Sequence, residues 1–429
     1  MQIRLITSII TLFFITSCIK GKKVDFIFHN TLINSCDESA HVYEAIAISN
    51  GKIVELGPER QILNKYRSEK SEDLKSNFVY PTFIDANFKL FDILHERSSI
   101  QTNQVDNEKH LVYLIEKKLE KSEKPIISIN NSTFNKKSIF YLLNQKFPSK
   151  RIYFEIKDSL FFTENKTIKS LNDSEKRIFK SNLLKNNLAE FKSLYLEIQN
   201  ELIEHGYKDI LVHNCNKDEF DFLNQIKKYL KIDIKLYTNY IEKRRPSKHL
   251  YLNGFYIEET NKTLLSKFVE NNIPISFTSS FFQTNFNLLK NQIIKINQDH
   301  RWTCIINSEL SATESEHLNM LNIYPIVNST SNEIEKNNFL SCFGSGNTNT
   351  YDMELKMIKD LKTSKNQKHK LLFSNGHKLT FNENNLGSLE KKKNANIITT
   401  DTELNNINNI EQLYIGRMYI KNKLFYQVD

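Results

Sequence analysis

Glu44-Ala45-Ile46-Ala47-Ile48-Ser49-Asn50-Gly51-Lys52-Ile53-Val54-Glu55-Leu56-Gly57 is the stretch from which the architecture can be read. Ala45, Ala47 and Ile53 flank an Asn50-Gly51 pair, the dipeptide that closes two-residue hairpins. A β-type run, Val24 to Ile33, precedes this hairpin, and a short apolar run, Phe78 to Ile84, follows it. Beyond residue 90 the texture changes to alternating helix and strand patterns. Leu111 to Leu119 has helical periodicity, Pro125 to Ile129 reads as a strand, Ile139 to Phe147 as a helix and Ile152 to Ile156 as a strand. Phe191 to His205 is predicted helical with Gly206 as its C-terminal cap, followed by the strand Ile210-Leu211-Val212.

Five further pairs follow. They are helix Glu219 to Leu230 with strand Ile232 to Leu236, helix Lys262 to Glu270 with strand Ile273 to Phe277, and helix Phe286 to Ile296 with strand Cys304 to Ile306. Helix Glu314 to Leu321 then precedes strand Ile323 to Val327, and helix Met353 to Leu361 precedes strand Leu371 to Phe373. Repeated units of this length argue for a parallel α/β architecture. From Ala395 to Val428 the pattern is β-rich again, with Leu413-Tyr414-Ile415 and Met418 to Tyr426. Lys391-Lys392-Lys393 reads as a solvated turn before that segment, and Trp302 as a core residue.

These landmarks resemble the amidohydrolase superfamily, in particular the branch called amidohydrolase family 3. The resemblance rests on Val24 to Asn30 as the first strand and on the 44–57 hairpin. It rests also on Asp73-Leu74-Lys75 with Phe78 to Ala86 as the entry to a barrel, on Gly387-Ser388-Leu389-Glu390 with Ala395 to Ile398, and on Tyr419 to Tyr426. It implies an α/β chain with a (β/α)8 TIM-type barrel and a small β-sandwich assembled from both ends. The expected division is 24–82 plus 383–429 for the sandwich and 83–382 for the barrel. It also implies an active site at the C-terminal strand ends, where zinc or another divalent metal turns water into hydroxide.

At the positions that would hold the metal, the residues differ from the family pattern. After Asp85-Ala86 the family places His-x-His, and this chain has Asn87-Phe88-Lys89; its eleven histidines include no His-x-His. His249 stands where the family has a carboxylated lysine, so it forms no carbamate, although it can ligate. Ile275 to Thr278 contains no ligand histidine, Asn307 stands where another belongs, and Asn375 aligns with the general-base aspartate. An amide and an ammonium in place of two imidazoles disfavour a cation. The expectation is therefore no metal cofactor, lost hydrolysis and a mouth that still presents Asp85, His213, His249, Asn307 and Asn375 to a small-molecule ligand.

The first residues point to export. Arg4 precedes a short apolar run, Leu5 to Ile15, and Ile15-Thr16-Ser17-Cys18 resembles the lipobox of bacterial lipoproteins. That resemblance implies a signal peptide over 1–17, acylation of Cys18 and a tether over 18–23. It places the protein in the cell envelope, at the outer membrane facing the periplasm of a Gram-negative bacterium. Several acyl chains on one residue hold a protein to a membrane stably.

Net charge is +9, but the lysines are spread along the chain and no compact basic block with interleaved aromatics occurs, so a nucleic-acid partner is not expected. Glycine is scarce: 10 residues, where average usage of about 7% gives roughly 30. Cys36, Cys215, Cys304 and Cys342 lack metal-type spacing.

Two other readings stand beside the ligand-binding one. A hydrolase of carbon–nitrogen bonds other than peptide bonds with a rearranged site would use His213 with Cys215 as a nucleophilic pair, or Asp85 with His249 or His377 on a metal. A scaffold at the membrane surface is the third.

Overall fold

The computed structural model describes residues 21–121, 126–129, 134–156, 159–164, 166–240, 249–296, 299–307, 310–327, 341–345, 364–404, 415–421 and 423–427. Cys18, Pro125, Met353 to Leu361 and Leu413-Tyr414 lie outside these. The chain divides into two compact units, Met1–Thr82 with Asn382–Asp429, and Phe83–Phe381.

In the terminal unit, Asn50 (φ +52°) and Gly51 (φ +71°) supply the two left-handed positions of the hairpin between Ala45–Ser49 and Lys52–Gly57. The run Val24 to Ile33 is cut by Asn30 at φ +51°. Phe26–His29 consequently joins Ala45–Ser49 in a four-stranded sheet, while Leu32–Asn34 joins a six-stranded one. Ile397–Thr400, from the far end of the chain, pairs antiparallel with Phe78–Pro81 in that second sheet. Phe28, Ile46, Ile48 and Ile53 from one sheet pack with Ile33, Val79, Ile397 and Tyr419 from the other. Burying that apolar face is what brings the two ends of the sequence together. Helix Glu59–Lys65 covers the remaining face through Ile62, against Ile27, Ala45 and Ala47.

The central unit is an eight-stranded parallel sheet that closes almost completely. Its strands are β1 (Phe83–Asp85), β2 (Tyr207–Cys215), β3 (Asp233–Thr238), β4 (Leu250–Tyr256), β5 (Ile275–Thr278), β6 (Thr303–Ile306), β7 (Tyr324–Val327) and β8 (Cys342–Phe343), in that spatial order. At the seam, Ala86 N donates to Phe343 O at 2.9 Å. The expected (β/α)8 barrel is present. Ile84, Leu211, Tyr237, Ile305, Ile326 and Cys342 come from strands spread around the sheet yet form one cluster, which is the barrel interior. Trp302, 1% exposed, packs in the outer layer with Cys304, Phe277 and helix residues Phe268 and Leu318, so its core role holds.

Helix Leu188–Glu204 ends on Gly206 (φ +81°) before β2, and Lys262–Glu270 has the bounds expected for it. The helix expected from Phe286 starts earlier, at Ser279, because Thr278 Oγ1 accepts from Phe281 N and caps it.

Three readings need correction. Leu371 to Phe373 is not a strand: it lies in the helical stretch Lys370–Ser374, flanked by Lys365–His369 and Asn375–Leu379. Three consecutive buried apolar residues satisfy a strand and a buried helix equally well. Ile126–Ser128 and Tyr153–Ile156 are strands but not barrel strands. They belong to a separate five-stranded sheet, with Ile100–Gln101, Ser159–Glu164 and Thr167–Ser170, inserted between β1 and β2. The fourth barrel strand is Leu250–Tyr256, which is absent from the helix and strand pairs expected above.

Charged residues occupy the N-terminal strand ends. Lys235 and Asp209, with side chains 6% and 0% exposed, form a buried ion pair. Lys208 Nζ lies 3.0 Å from Asp233 Oδ1 and donates to Lys231 O at 2.9 Å. His249 Nδ1 lies 2.6 Å from the same Asp233 oxygen. Burial pushes the Asp233 carboxyl upward, but the His249 hydrogen bond and the charges of Lys208 and Lys235 outweigh it and hold it at about 2.

Candidate functional site

The C-terminal strand ends gather the polar residues of the mouth. At the end of β1, Asp85 Oδ1 accepts from Asn87 N at 2.8 Å and from Ser345 N at 3.2 Å, so one carboxylate fastens both sides of the seam. Asn87 is fully buried beside Gly344. A Cβ on Gly344 would sit 2.5 Å from Asn87 Cβ and 2.6 Å from its backbone nitrogen. Replacing Gly344 by alanine is therefore expected to destabilise the protein by about 1–3 kcal/mol, as overpacking does. A compatible Gly→Ala change stabilises by about 0.4–1 kcal/mol. Urea unfolding distinguishes the two signs.

His213 is 8% exposed on β2, and both ring nitrogens are engaged. Nε2 lies 2.8 Å from Ala86 O, an acceptor only, so Nε2 carries the proton and donates. Nδ1, 2.8 Å from Ser276 Oγ on β5, then accepts the serine hydroxyl. The ring stacks on Tyr237 at 4.7 Å. Burial, reinforced by the positive charge of Lys89, holds the imidazole down at about 3, so it is neutral at physiological pH.

Next to it, β2 carries an irregularity between Val212 and Cys215. Asn214 takes φ +58° there, a conformation asparagine tolerates better than most residues. Its side chain donates to Glu258 Oε1 at 2.7 Å and accepts from Asn239 Nδ2 at 2.8 Å. Arg177, 3.0 Å from the other Glu258 oxygen, extends this belt over the ends of β2, β3 and β4. At β5 and β6, Ser279 Oγ donates to Asn307 Oδ1 at 2.5 Å.

A recess of about 320 Å3 opens beside His213, lined among others by Lys89, Asp92, Lys176, Arg177 and Glu219. Burial, with the charges of Asp92 and Asp218 adding to it, pushes the Glu219 carboxyl up to about 8, and it is mostly protonated at neutral pH. Sequence reasoning missed Asn214, Glu258, Ser276 and Arg177, because nothing local marks residues whose role comes from meeting across strand ends.

Asp85, Asn87, Lys89 and His213 meet at the ends of β1 and β2, and Asn307 stands on the same rim. His249 does not join them: it precedes β4, at the opposite end of the strands, paired with Asp233. Asn375 lies on a helix and donates to Ser341 O, just before β8. His377 is buried on that helix. The eighth strand ends at Phe343, so the position expected at Asn375 belongs to Gly344-Ser345. The misplacement follows from reading Leu371 to Phe373 as the last strand. Cys215 is fully buried, and burial, with Glu219 adding to it, raises its thiol well above the ordinary value. It makes its contact with Asn216 O, while His213 Nδ1 faces Ser276, so no thiolate–imidazole pair forms.

The fold is shared with solved metal-dependent hydrolases. An uncharacterized metal-dependent hydrolase from Pyrococcus furiosus superposes with a TM-score of 0.70 at 11% identity, over 89% of this chain and 99% of that one. Its counterpart from Pyrococcus horikoshii gives 0.68 at 11% identity, over 91% and 99%. A guanine deaminase from C. acetobutylicum gives 0.55 at 12% identity, over 93% and 99%. The chain has an amidohydrolase-like fold. No family model and no curated protein matches the sequence.

That fold implies a metal, and the described residues at this mouth do not suit one. Among the described residues no three His, Cys, Asp or Glu side chains converge to hold an ion. The one histidine at the β1 and β2 ends has its proton on a carbonyl and its lone pair on a hydroxyl. Lys89 brings a fixed positive charge to the same place.

Proposed function

We propose that the protein is an amidohydrolase-fold binding protein of the bacterial envelope that has lost metal-dependent hydrolysis. Its mouth takes a small polar ligand through hydrogen bonds, and an acylated Cys18 holds it to the membrane. The observation that carries this reading is the engagement of both His213 nitrogens, Nε2 with Ala86 O and Nδ1 with Ser276 Oγ. A metal would need one of those nitrogens with its lone pair free, and taking it would leave a buried carbonyl or hydroxyl unsatisfied, at about 1–3 kcal/mol. Lys89, just past the tip of β1, supplies an ammonium, which suits a carbonyl, hydroxyl or carboxylate on a ligand. Asn214, Asn239 and Asn307 supply amides along the rim.

The alternative of a working hydrolase of carbon–nitrogen bonds lacks a comparable observation, since Cys215 is held protonated and His249 stands at the wrong end of its strand. Elemental mass spectrometry on the mature chain, purified without chelators, tests the choice. The expected result is no stoichiometric zinc, iron or manganese, and no rise in Tm when these ions are added in excess. One or two metal atoms per chain would overturn the proposal.

A further inference from the structure

We propose that the edge of the terminal unit at which the chain enters lies against the surface of an anionic phospholipid bilayer. The inference rests on the acylation of Cys18 proposed above, and on a cluster of charges at that edge. Lys22–Lys23 pairs in parallel with Tyr66–Arg67, which fixes the start of the described chain to this unit. Beside it is a groove of about 600 Å3 lined by Lys23, Lys70, Lys421, Lys423, Asp25 and Glu69 among others. Lys421 reaches it because Gly51 lacks a side chain: a Cβ there would lie 2.6 Å from Lys421 Cβ.

The two acids are already engaged. Asp25 Oδ2 accepts from Asn50 N at 2.6 Å, and Glu69 lies 3.1 Å from Lys23 Nζ. Lys22, Arg67, Lys70, Lys421 and Lys423 are all exposed, and none has an acidic partner among the described residues. Leu424 stands next to Lys423 at 52% exposure. Five exposed cations with an exposed leucine beside them make up the composition of a surface that meets lipid headgroups.

Chain length permits the encounter. Five Cα–Cα steps lead from Cys18 to Lys23, and a fully extended chain spans at most about 3.6 Å per step, roughly 18 Å in all. Acyl chains on Cys18 therefore keep Lys23 within about 18 Å of the anchor, so the groove it lines can come into contact with the headgroups, where attraction to anionic lipid acts. On a neutral bilayer the same tether leaves the edge free to swing away.

The test uses the full acylated chain reconstituted into vesicles of phosphatidylcholine alone, or of phosphatidylcholine with phosphatidylglycerol. Amine-reactive labelling is read lysine by lysine by mass spectrometry. On the anionic vesicles, labelling of Lys70, Lys421 and Lys423 is expected to fall by at least about threefold relative to neutral vesicles, and to recover near 1 M salt, where the Debye length shrinks to about 3 Å. Lys137 and Lys262, exposed on the barrel unit, serve as references for overall reactivity. The combined Lys70→Glu, Lys421→Glu and Lys423→Glu variant should remove protection at Lys22 and Lys23. Equal labelling on both vesicle types overturns the proposal. The mass of the Cys18 peptide reports acylation separately. Should it carry no lipid, co-sedimentation of the chain with anionic but not neutral vesicles still decides for the surface, and its absence decides against it.

Discussion

Replacing Asp209 by alanine is expected to destabilise the protein by about 3–5 kcal/mol, the usual cost of leaving a buried charge without its partner. The partner is Lys235, and the two side chains are 0% and 6% exposed in the barrel interior. Neighbouring acids do not rescue the ammonium, because Asp233 is already shared between Lys208 and His249. Removing both charges is a different experiment. Asp209→Leu together with Lys235→Met keeps the volume, removes both desolvation penalties, and is expected to be neutral or stabilising by about 1–4 kcal/mol. Urea midpoints of the two single variants and the double variant give the coupling directly. An Asp209→Ala loss below about 1 kcal/mol would mean that water reaches Lys235 and that the barrel floor is open.

Acidification is the second large effect. His213 and His95 both titrate at about 3 in the folded chain, His95 through burial with some help from Lys180, against an ordinary 6.5. Between those values the unfolded chain binds two protons that the folded chain does not, so stability falls as pH falls, by about 1.4 kcal/mol per pH unit per histidine. Glu219 acts in the opposite sense. Its folded value of about 8 lies above the ordinary 4.5, so its contribution is complete below 4.5 and lost as pH rises through 8. It offsets one histidine between 6.5 and 4.5, so that these three groups together leave a loss of about 1.4 kcal/mol per unit there, or about 3 kcal/mol by pH 4.5. Stability is expected to peak near pH 6.5. Urea midpoints from pH 4.5 to 8 check the profile, and His95→Leu should flatten the acid limb by about one proton's worth. A profile level from 6.5 to 4.5 would show that these imidazoles protonate in place.

Much of this architecture was legible in the residues, and the exceptions share a cause. Asn50-Gly51 located its hairpin because the turn needs two left-handed residues and few dipeptides supply them. The helices with a polar face were legible for a similar reason, since 3.6-residue periodicity survives without knowledge of the partner. Short runs buried on every side carry no period. Leu371 to Phe373 reads as a strand for that reason, which shifts the expected eighth strand away from Cys342–Phe343 and the expected rim position from Gly344-Ser345 to Asn375. β4 was missed because Tyr251 and Leu252 are partly exposed and Asn253-Gly254 interrupts it, while Gly254 is in fact required where Pro274 O would lie 2.2 Å from a Cβ. At the mouth, the substitutions at Asn87 and Lys89 were visible residue by residue. The hydrogen bonds that fix His213 were not, because Ala86, His213 and Ser276 are far apart in sequence and meet only when the sheet curls.

The sheet inserted between β1 and β2 sets the order in which this molecule can assemble. Phe83 waits for Tyr207 as its pairing partner, and Ala86 waits for Phe343. Within the insertion, by contrast, Tyr153–Ile156 pairs antiparallel with Ser159–Glu164, which pairs antiparallel with Thr167–Ser170. Its core, with Leu111, Ile115, Ile139 and Leu143, draws on neighbouring helices. Local contacts close small loops and form early, whereas remote ones must first meet the entropy of a long loop. The insertion is therefore expected to take shape while β1 is still an unpaired strand, with closure of the ring last, at the seam that Asp85 and Gly344 share. A chain built this way has a long interval in which an apolar strand edge is open to other molecules.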